Sequence, residues 1–124
     1  MDTSIINRCG DELFDAWRDR RVLAPLLERF PDITTADAYA IQLHMINRRL
    51  AAGETIIGKK IGVTSKPVQD MLGVYEPDFG QLTSGMVCTE ADGVDLNQMI
   101  QPKAEAELAF VLERDLIGPG ITAT

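Results

Sequence analysis

Histidine, cysteine and positive charge are all scarce in this sequence of 124 residues. The only histidine, His44, argues against a two-histidine metal site, and it leaves Ser65 and Ser84 without a catalytic base in a suitable pattern. Cys9 and Cys88 form no recognisable metal or redox spacing and give no disulfide framework. Acid–base chemistry in this protein is therefore left to carboxylates, lysine and metal-bound water.

A basic surface and a long apolar run are missing as well. The formal net charge is −7 and the isoelectric point is about 4.6, whereas a general polyanion binder needs a basic stripe. No uninterrupted apolar stretch is long enough to cross a bilayer, and residues 1–21 mix charges with their apolar positions, unlike a signal peptide. We expect a cytoplasmic protein with neither nucleic-acid nor membrane partners.

The N-terminal part of the chain has helical periodicity. Apolar residues recur at helical spacing over residues 11–29, with an interruption at residues 19–22, which predicts one bent helix or two short ones. A second helix is predicted after the cap Thr34, with Asp37 completing the cap and Gly53 following the last turn. Its predicted apolar stripe consists of Tyr39, Leu43, Ile46 and Leu50.

The pattern changes after Gly53. Residues 55–63 are rich in β-branched side chains and predict a strand, and a short helix capped by Ser65 is predicted to end at Gly73. The Pro, Asp and Gly density of residues 75–85 predicts a structured loop. Helices precede strands, which predicts an α+β fold.

Two further strands are predicted, at residues 86–89 and 104–112. The chain then stops after a turn at residues 118–120, before any element that could close a sheet. A strand with one apolar face needs a partner layer, so we expect this chain to be a fragment.

Lys60 is the first candidate for a functional side chain. In a strand its face also carries Gly58 and Gly62, which leaves an open floor where a ligand could approach closely. The neighbouring Lys59 would lie on the opposite face. The alternative is a solvated lysine on a strand whose glycines serve twist or a bulge.

Asp78 lies between a proline that fixes its approach and a glycine that frees its exit, in the segment "EPDFG". Such a loop can hold a carboxylate in place for proton transfer. Aspartate is also an ordinary turn residue that bonds its own backbone. Both interpretations remain open from the pattern alone.

Glu105 and Glu107 begin the predicted strand at residues 104–112 and would share one face of it, opposite a uniformly apolar face. Two like charges so placed repel each other unless something positive sits between them. Carboxylate oxygens suit a hard cation such as Mg²⁺ or Mn²⁺. The alternative is a solvated strand edge, because two glutamates at this spacing are common.

A family resemblance runs through nearly the whole chain. The segments "LAPLLERFPDITTADAYAIQ", "GKKIGVTSKPVQDMLGVYEPDFG" and "IQPKAEAELAFVLERDLIGPGIT" resemble the 2-hydroxypenta-2,4-dienoate (2-oxopent-4-enoate) hydratases of the meta-cleavage pathway of aromatic catabolism, in the fumarylacetoacetate hydrolase superfamily. The chain resembles their N-terminal half. The resemblance implies one incomplete domain, with a helical region at residues 1–53 and the first part of a mixed catalytic β-roll at residues 54–124.

The resemblance also implies roles for the candidate residues. Glu105 and Glu107 match a pair that binds Mg²⁺ or Mn²⁺, with a third ligand beyond residue 124. Lys60 and Asp78 match positions that line the active site, where they would bind the small 2-hydroxy-dienoate substrate and move protons. Metal-assisted hydration of that substrate would give 4-hydroxy-2-oxopentanoate. The fragment itself is expected to be inactive.

Two alternatives remain beside the hydratase. One is 4-oxalocrotonate decarboxylase, which uses the same metal framework; decarboxylases of this group tend to lack the aspartate of "PDFG", so Asp78 favours a hydratase. The other is a truncated, non-catalytic module that pairs with one of these enzymes. We expect a homo-oligomer, and a complex with the decarboxylase is a further expected partnership.

Overall fold

A computed structural model describes residues 1–122 of the chain as a small α+β arrangement. The elements in chain order are α1 (Thr3–Arg18), α2 (Leu26–Arg29), α3 (Thr35–Ala51), β1 (Ile56–Gly62), α4 (Lys66–Leu72) and β2 (Asp78–Thr83), with single 3-10 turns at Ser84–Met86 and Leu96–Gln98. No helix in this described part is long and apolar enough to cross a membrane.

Helix α1 begins earlier than its apolar spacing predicted. Asp2 caps it, because the Asp2 carboxylate accepts a hydrogen bond of 2.8 Å from the Ser4 backbone N–H. The helix ends at Arg18, and α2 is a separate single turn. The interruption predicted at residues 19–22 therefore divides two helices instead of bending one.

Helix α3 follows its prediction closely. Thr34 and Asp37 form the predicted capping box, and Gly53 lies just beyond the last turn with φ of +102°. The N-terminal amine of Met1 adds an ion pair of 2.8 Å to Asp37. Hydrogen bonds from that amine and from Thr34 lower the pKa of Asp37 to about 2. The start of α3 is thus fixed both locally and by the start of the chain.

Helices α1 and α3 pack against each other and hold the core. Their buried apolar side chains are Cys9, Phe14, Ala16, Ile41 and Ile46. The His44 side chain of α3 packs so closely on Gly10 of α1 that a Cβ on Gly10 would lie 2.7 Å from Cδ2 of His44. The predicted stripe is partly wrong, because Leu43 is 46% exposed while Ile41, outside the stripe, is fully buried. The core face of α3 is rotated toward the side that meets α1.

Strands β1 and β2 form an antiparallel hairpin, with a register irregularity between Ile56 and Gly58. Strand β1 confirms the prediction for residues 55–63. Strand β2 lies within the segment predicted as a loop, whereas residues 86–89, predicted as a strand, contain none. The Pro, Asp and Gly content of this segment is typical of a loop, and it misled the prediction. Glycine is tolerated in β2 because Gly80 lies opposite Lys60 and is covered by the lysine side chain.

The strand predicted at residues 104–112 is also wrong. This segment has no regular secondary structure, and its expected core face is open, with Leu108 88% and Phe110 83% exposed. In the described part of the chain the sheet consists of β1 and β2, and residues 104–112 pair with neither strand. The domain division at residues 53 and 54 stays a prediction.

Candidate active site

The hairpin brings two of the predicted site residues onto one face. Lys60 lies directly opposite Gly80, and Asp78 lies directly opposite Gly62. Residues that face each other across an antiparallel pair share a side of the sheet, and positions two apart on one strand do so too. Lys60 and Asp78 are therefore diagonal neighbours on the same face of the hairpin. Gly58 and Gly62 lie on this face too, as the alternation along β1 had predicted for the face of Lys60.

Each of these two side chains uses the space that the opposite glycine leaves. A Cβ on Gly80 would lie 3.1 Å from Cγ of Lys60. A Cβ on Gly62 would overlap Oδ1 of Asp78 and lie 3.2 Å from its Cγ. The two glycines are therefore covered by the charged side chains. The open floor predicted beside Lys60 is occupied at Gly62 by the Asp78 side chain.

The polar ends of both side chains are available to a ligand. Lys60 and Asp78 are exposed, and over residues 1–122 neither side chain makes a hydrogen bond or ion pair with another protein group. Lys59 differs, since it lies on the opposite face and donates a hydrogen bond of 2.8 Å to Gln81. The structure thus distinguishes the two adjacent lysines as the alternation predicted.

Helix α3 forms one wall beside Asp78. The Phe79 backbone N–H donates to the Tyr39 hydroxyl at 3.1 Å, and Gln42 Nε2 donates to the Phe79 carbonyl at 3.2 Å. A cavity of about 240 Å³ lies here, lined by Thr35, Ala38, Tyr39, Gln42, Asp78 and Phe79. From the sequence, Tyr39 is assigned only to the packing stripe of α3, and Gln42 is assigned no role. Their spacing of three along a helix, which places them on one face, was the available signal.

A buried ion pair connects the helices to the start of the hairpin. Arg49, 3% exposed, contacts both carboxylate oxygens of Glu54 at 2.9 to 3.1 Å, and its guanidinium lies 4.1 Å from the Trp17 ring centre. Burial alone would raise the pKa of Glu54, but the hydrogen-bond donors around it, Arg49 among them, lower it. The pair fixes the entry of the chain into β1.

His44 has a structural partner, as expected of a helix-flank histidine. Its Nε2 lies 3.0 Å from Oδ1 of Asp11, which also accepts a bond of 2.7 Å from Arg48. The His44 hydrogen bond, helped by the charge of Arg48, lowers the pKa of Asp11. This cluster joins α1 to α3 and is separate from the hairpin face.

Glu105 and Glu107 are not brought to the hairpin face by any described contact. Both side chains are exposed in the irregular segment. Residues 1–122 contain no group of three or more His, Cys, Asp or Glu side chains that could hold a metal ion. The structure therefore joins Lys60 with Asp78, while the roles of the two glutamates stay predictions.

Structural comparison finds a solved enzyme with a similar fold. The chain superposes on 4-oxalocrotonate decarboxylase from Pseudomonas putida G7, solved with magnesium and adipate, with a TM-score of 0.65 and 27% identity over 68% of this chain and 32% of that one. The same enzyme solved with calcium and acetate gives the same TM-score and identity. The likeness defines the class as a hydratase or decarboxylase fold.

Sequence comparison narrows the class. A 2-hydroxypent-2,4-dienoate hydratase of Pseudomonas putida is 54% identical over 98% of this chain and 55% of its own length. A 2-hydroxyhexa-2,4-dienoate hydratase of Comamonas testosteroni is 53% identical over 98% of this chain and 47% of its own length. The chain belongs to the family of these hydratases, which the decarboxylase shares. It spans about half the length of the curated relatives it matches, and no family model matches it.

Proposed function

We propose that the protein carrying this chain is a hydratase that adds water to 2-hydroxypenta-2,4-dienoate and gives 4-hydroxy-2-oxopentanoate. The observation that carries the proposal is the shared hairpin face of Lys60 and Asp78, in a chain 54% identical to a named hydratase of this substrate type. We further propose that the hairpin belongs to a mixed β-roll of the fumarylacetoacetate hydrolase type.

Lys60 would supply the positive charge of the site. Its ammonium is unpaired over residues 1–122, so it is free to pair with the substrate carboxylate or with negative charge that develops at the C2 oxygen. The Lys60 stem covers Gly80, so the ammonium end is the part of the side chain that would meet the substrate. Lys60 would therefore bind and orient the substrate, and its ammonium can stabilise the enolate charge at the C2 oxygen by donating a hydrogen bond to it.

Asp78 would move protons or orient water on the same face. The reaction requires protonation at C5 with loss of the enol proton, addition of water at C4 and protonation at C3. A carboxylate near a cationic neighbour can accept a proton from the enol or from the attacking water and return it to carbon. The cavity beside α3 is the space into which this carboxylate would direct a water molecule.

Glu105 and Glu107 would hold a divalent cation. Their carboxylate oxygens are suitable donors for Mg²⁺ or Mn²⁺, and two such donors leave positions for a third protein ligand, for water and for the substrate. The described residues fit the donor chemistry of such a site but do not complete it. When bound, the cation would polarise the substrate oxygens at C1 and C2 as a Lewis acid.

The partners of the protein follow from the same proposal. The substrate is a small 2-hydroxy-dienoate, and the named relatives act on pentadienoate, hexadienoate and, at 37% identity, a heptene-dioate. We propose a homo-oligomer that can associate with 4-oxalocrotonate decarboxylase. The exposed apolar side chains of the hairpin, Ile57, Ile61 and Phe79, support such contacts.

The proposal is tested by following the loss of dienol absorbance for freshly generated 2-hydroxypenta-2,4-dienoate with product identification, using the complete gene product and the 124-residue chain. Lys60→Met is expected to lower kcat/KM by about 100- to 1000-fold, because it removes a preorganised charge. Lys59→Met is the matched control, since Lys59 lies on the other face. Equal losses for the two lysines would contradict a role for the Lys60 face.

The metal role has its own test in the same assay. Glu105→Gln and Glu107→Gln are expected to abolish the dependence of rate on Mg²⁺ or Mn²⁺, while Glu113→Gln, in the same exposed segment, keeps it. Carbon dioxide release from 4-oxalocrotonate without hydration would assign the decarboxylase instead. Full hydration in the presence of chelator would contradict the metal site.

A further inference from the structure

We propose that Tyr39 and Gln42 of α3 are positioning residues for Asp78. This inference deepens the proposed function and rests on it for its kinetic consequence. Neither residue needs to touch the substrate. Both act on the backbone that carries the aspartate, through hydrogen bonds from one helix face.

The two hydrogen bonds hold the outer edge of β2 at its first residues. Phe79 lies opposite Ile61 of β1, yet its N–H and C=O bond to Tyr39 and Gln42. In an antiparallel pair such a residue directs both groups away from the partner strand. Helix α3 therefore provides hydrogen-bond partners for the Phe79 N–H and C=O, which β1 cannot reach. Phe79 directly follows Asp78 in the chain.

The Tyr39 bond acts directly on the backbone of Asp78. The N–H that donates to the Tyr39 hydroxyl belongs to the peptide unit formed by Asp78 and Phe79. Fixing that unit fixes ψ of Asp78, and with it the direction in which its carboxylate leaves the strand. Gln42 holds the next peptide unit in the same way through the Phe79 carbonyl.

Gly62 limits the carboxylate from the other side. A Cβ at Gly62 would overlap Oδ1 of Asp78. The Asp78 side chain can therefore take its observed position only because a glycine lies opposite it. Asp78 is thus located between a helix that sets its backbone and a glycine that admits its side chain. The cavity of about 240 Å³ between α3 and Asp78 gives this carboxylate access to a ligand.

A double-mutant cycle in the complete gene product tests the inference. Tyr39→Phe removes the hydroxyl and keeps the ring; we expect kcat for hydration to fall by up to about 100-fold with little change in KM, as for a misplaced catalytic group. In an Asp78→Asn background the same change should cost almost nothing more. Tyr75→Phe, at the other and exposed tyrosine, should leave both parameters unchanged.

An equal loss from Tyr39→Phe in both backgrounds would overturn the inference, since it would show an effect independent of Asp78. Gln42→Met provides a second variant with the same expected pattern. Gly62→Ala should also lower kcat only while Asp78 is present.

A second measurement separates this inference from the proposed function. In the 124-residue chain, Tyr39→Phe should speed amide hydrogen exchange at Phe79 and change the carboxyl carbon chemical shift of Asp78, while Tyr75→Phe does neither. If the complete gene product fails to hydrate the dienoate, the proposed function is lost but these changes still support positioning. Unchanged exchange and shift at both residues would overturn positioning, whatever the activity.

Discussion

The helical pair and the hairpin differ in how far each completes its own contacts. Between α1 and α3 the apolar side chains are buried and the charged ones are paired, as with Ile41 and with Asp11 beside Arg48. On the hairpin Lys60 and Asp78 are unpaired over residues 1–122, and Ile61 and Phe79 remain about half exposed. The first region holds the fold, whereas the second presents side chains to molecules outside it.

The difference has a physical basis in what each element needs. Two amphipathic helices can bury their apolar stripes against each other and satisfy their backbone internally. A two-stranded hairpin is marginal alone and depends on packing against another layer. Here α3 supplies part of that layer through Tyr39 and Gln42, and the buried Arg49 with Glu54 fixes the junction. The site is therefore supported from the helices.

The largest expected effect on stability comes from that junction. Arg49→Met should lower the free energy of unfolding by about 3 to 5 kcal/mol, because it leaves the partly buried Glu54 carboxylate without its cation. Urea denaturation followed by the fluorescence of Trp17, the only tryptophan, measures it. The double variant Arg49→Met with Glu54→Gln should recover much of the loss. No recovery would show that the guanidinium stabilises through Trp17 packing alone.

A smaller effect distinguishes the two sides of α3. Ile41→Ala should cost about 2 to 5 kcal/mol, because Ile41 is fully buried against α1. Leu43→Ala, on the same helix at 46% exposure, should cost clearly less. Chemical denaturation of both variants checks the orientation of the helix. A greater loss at Leu43 would restore the stripe predicted from the sequence.

Helix α3 shows both where sequence reasoning succeeds and where it fails. The limits and cap of α3 were predictable because Thr34, Asp37 and Gly53 act locally. The buried face was not predictable. The spacing of Tyr39, Leu43, Ile46 and Leu50 fits a helix, but it does not show which side of that helix packs against α1. Which face is buried depends on how α3 packs against α1, which is a tertiary property, and in that packing Ile41 lies inside.

In the hairpin, one strand was predictable from the sequence and the other was not. Strand β1 and the face of Lys60 were predictable from alternation, but β2 was hidden by Asp78 and Gly80, which resemble turn residues. Glycine is tolerated there because Lys60 covers it from the opposite strand. Lys60 and Asp78 share one face only because of the register between β1 and β2, which is a tertiary property. The structure thus shows a face shared by Lys60 and Asp78 that the sequence did not predict, and the chemistry of both residues stays a proposal.

A still smaller effect is expected in the open segment at residues 104–112. Phe110→Ser should change the free energy of unfolding of the 124-residue chain by no more than about 0.5 kcal/mol, because the ring is 83% exposed. Phe14→Ser, in the core, is the matched control and should destabilise strongly. A large loss at Phe110 would show that the segment packs on the fold in solution, and it would remove the contrast between the two regions.

A pH-dependent effect is expected where the start of the chain meets α3. Asp37 has a folded-state pKa of about 2, below its ordinary value of 3.8, because the Met1 amine and Thr34 bond its charged form. A depressed pKa means that its contribution to stability is present above pH 3.8 and is lost as the pH falls through about 2. Urea midpoints across this range should fall more steeply for the parent chain than for Asp37→Asn, which has no such carboxylate to protonate. An N-terminal extension that removes the free amine should reduce the difference in slope between the parent and Asp37→Asn. Parallel pH profiles for these two proteins would show that the ion pair at Met1 contributes nothing measurable to the stability of the helical region.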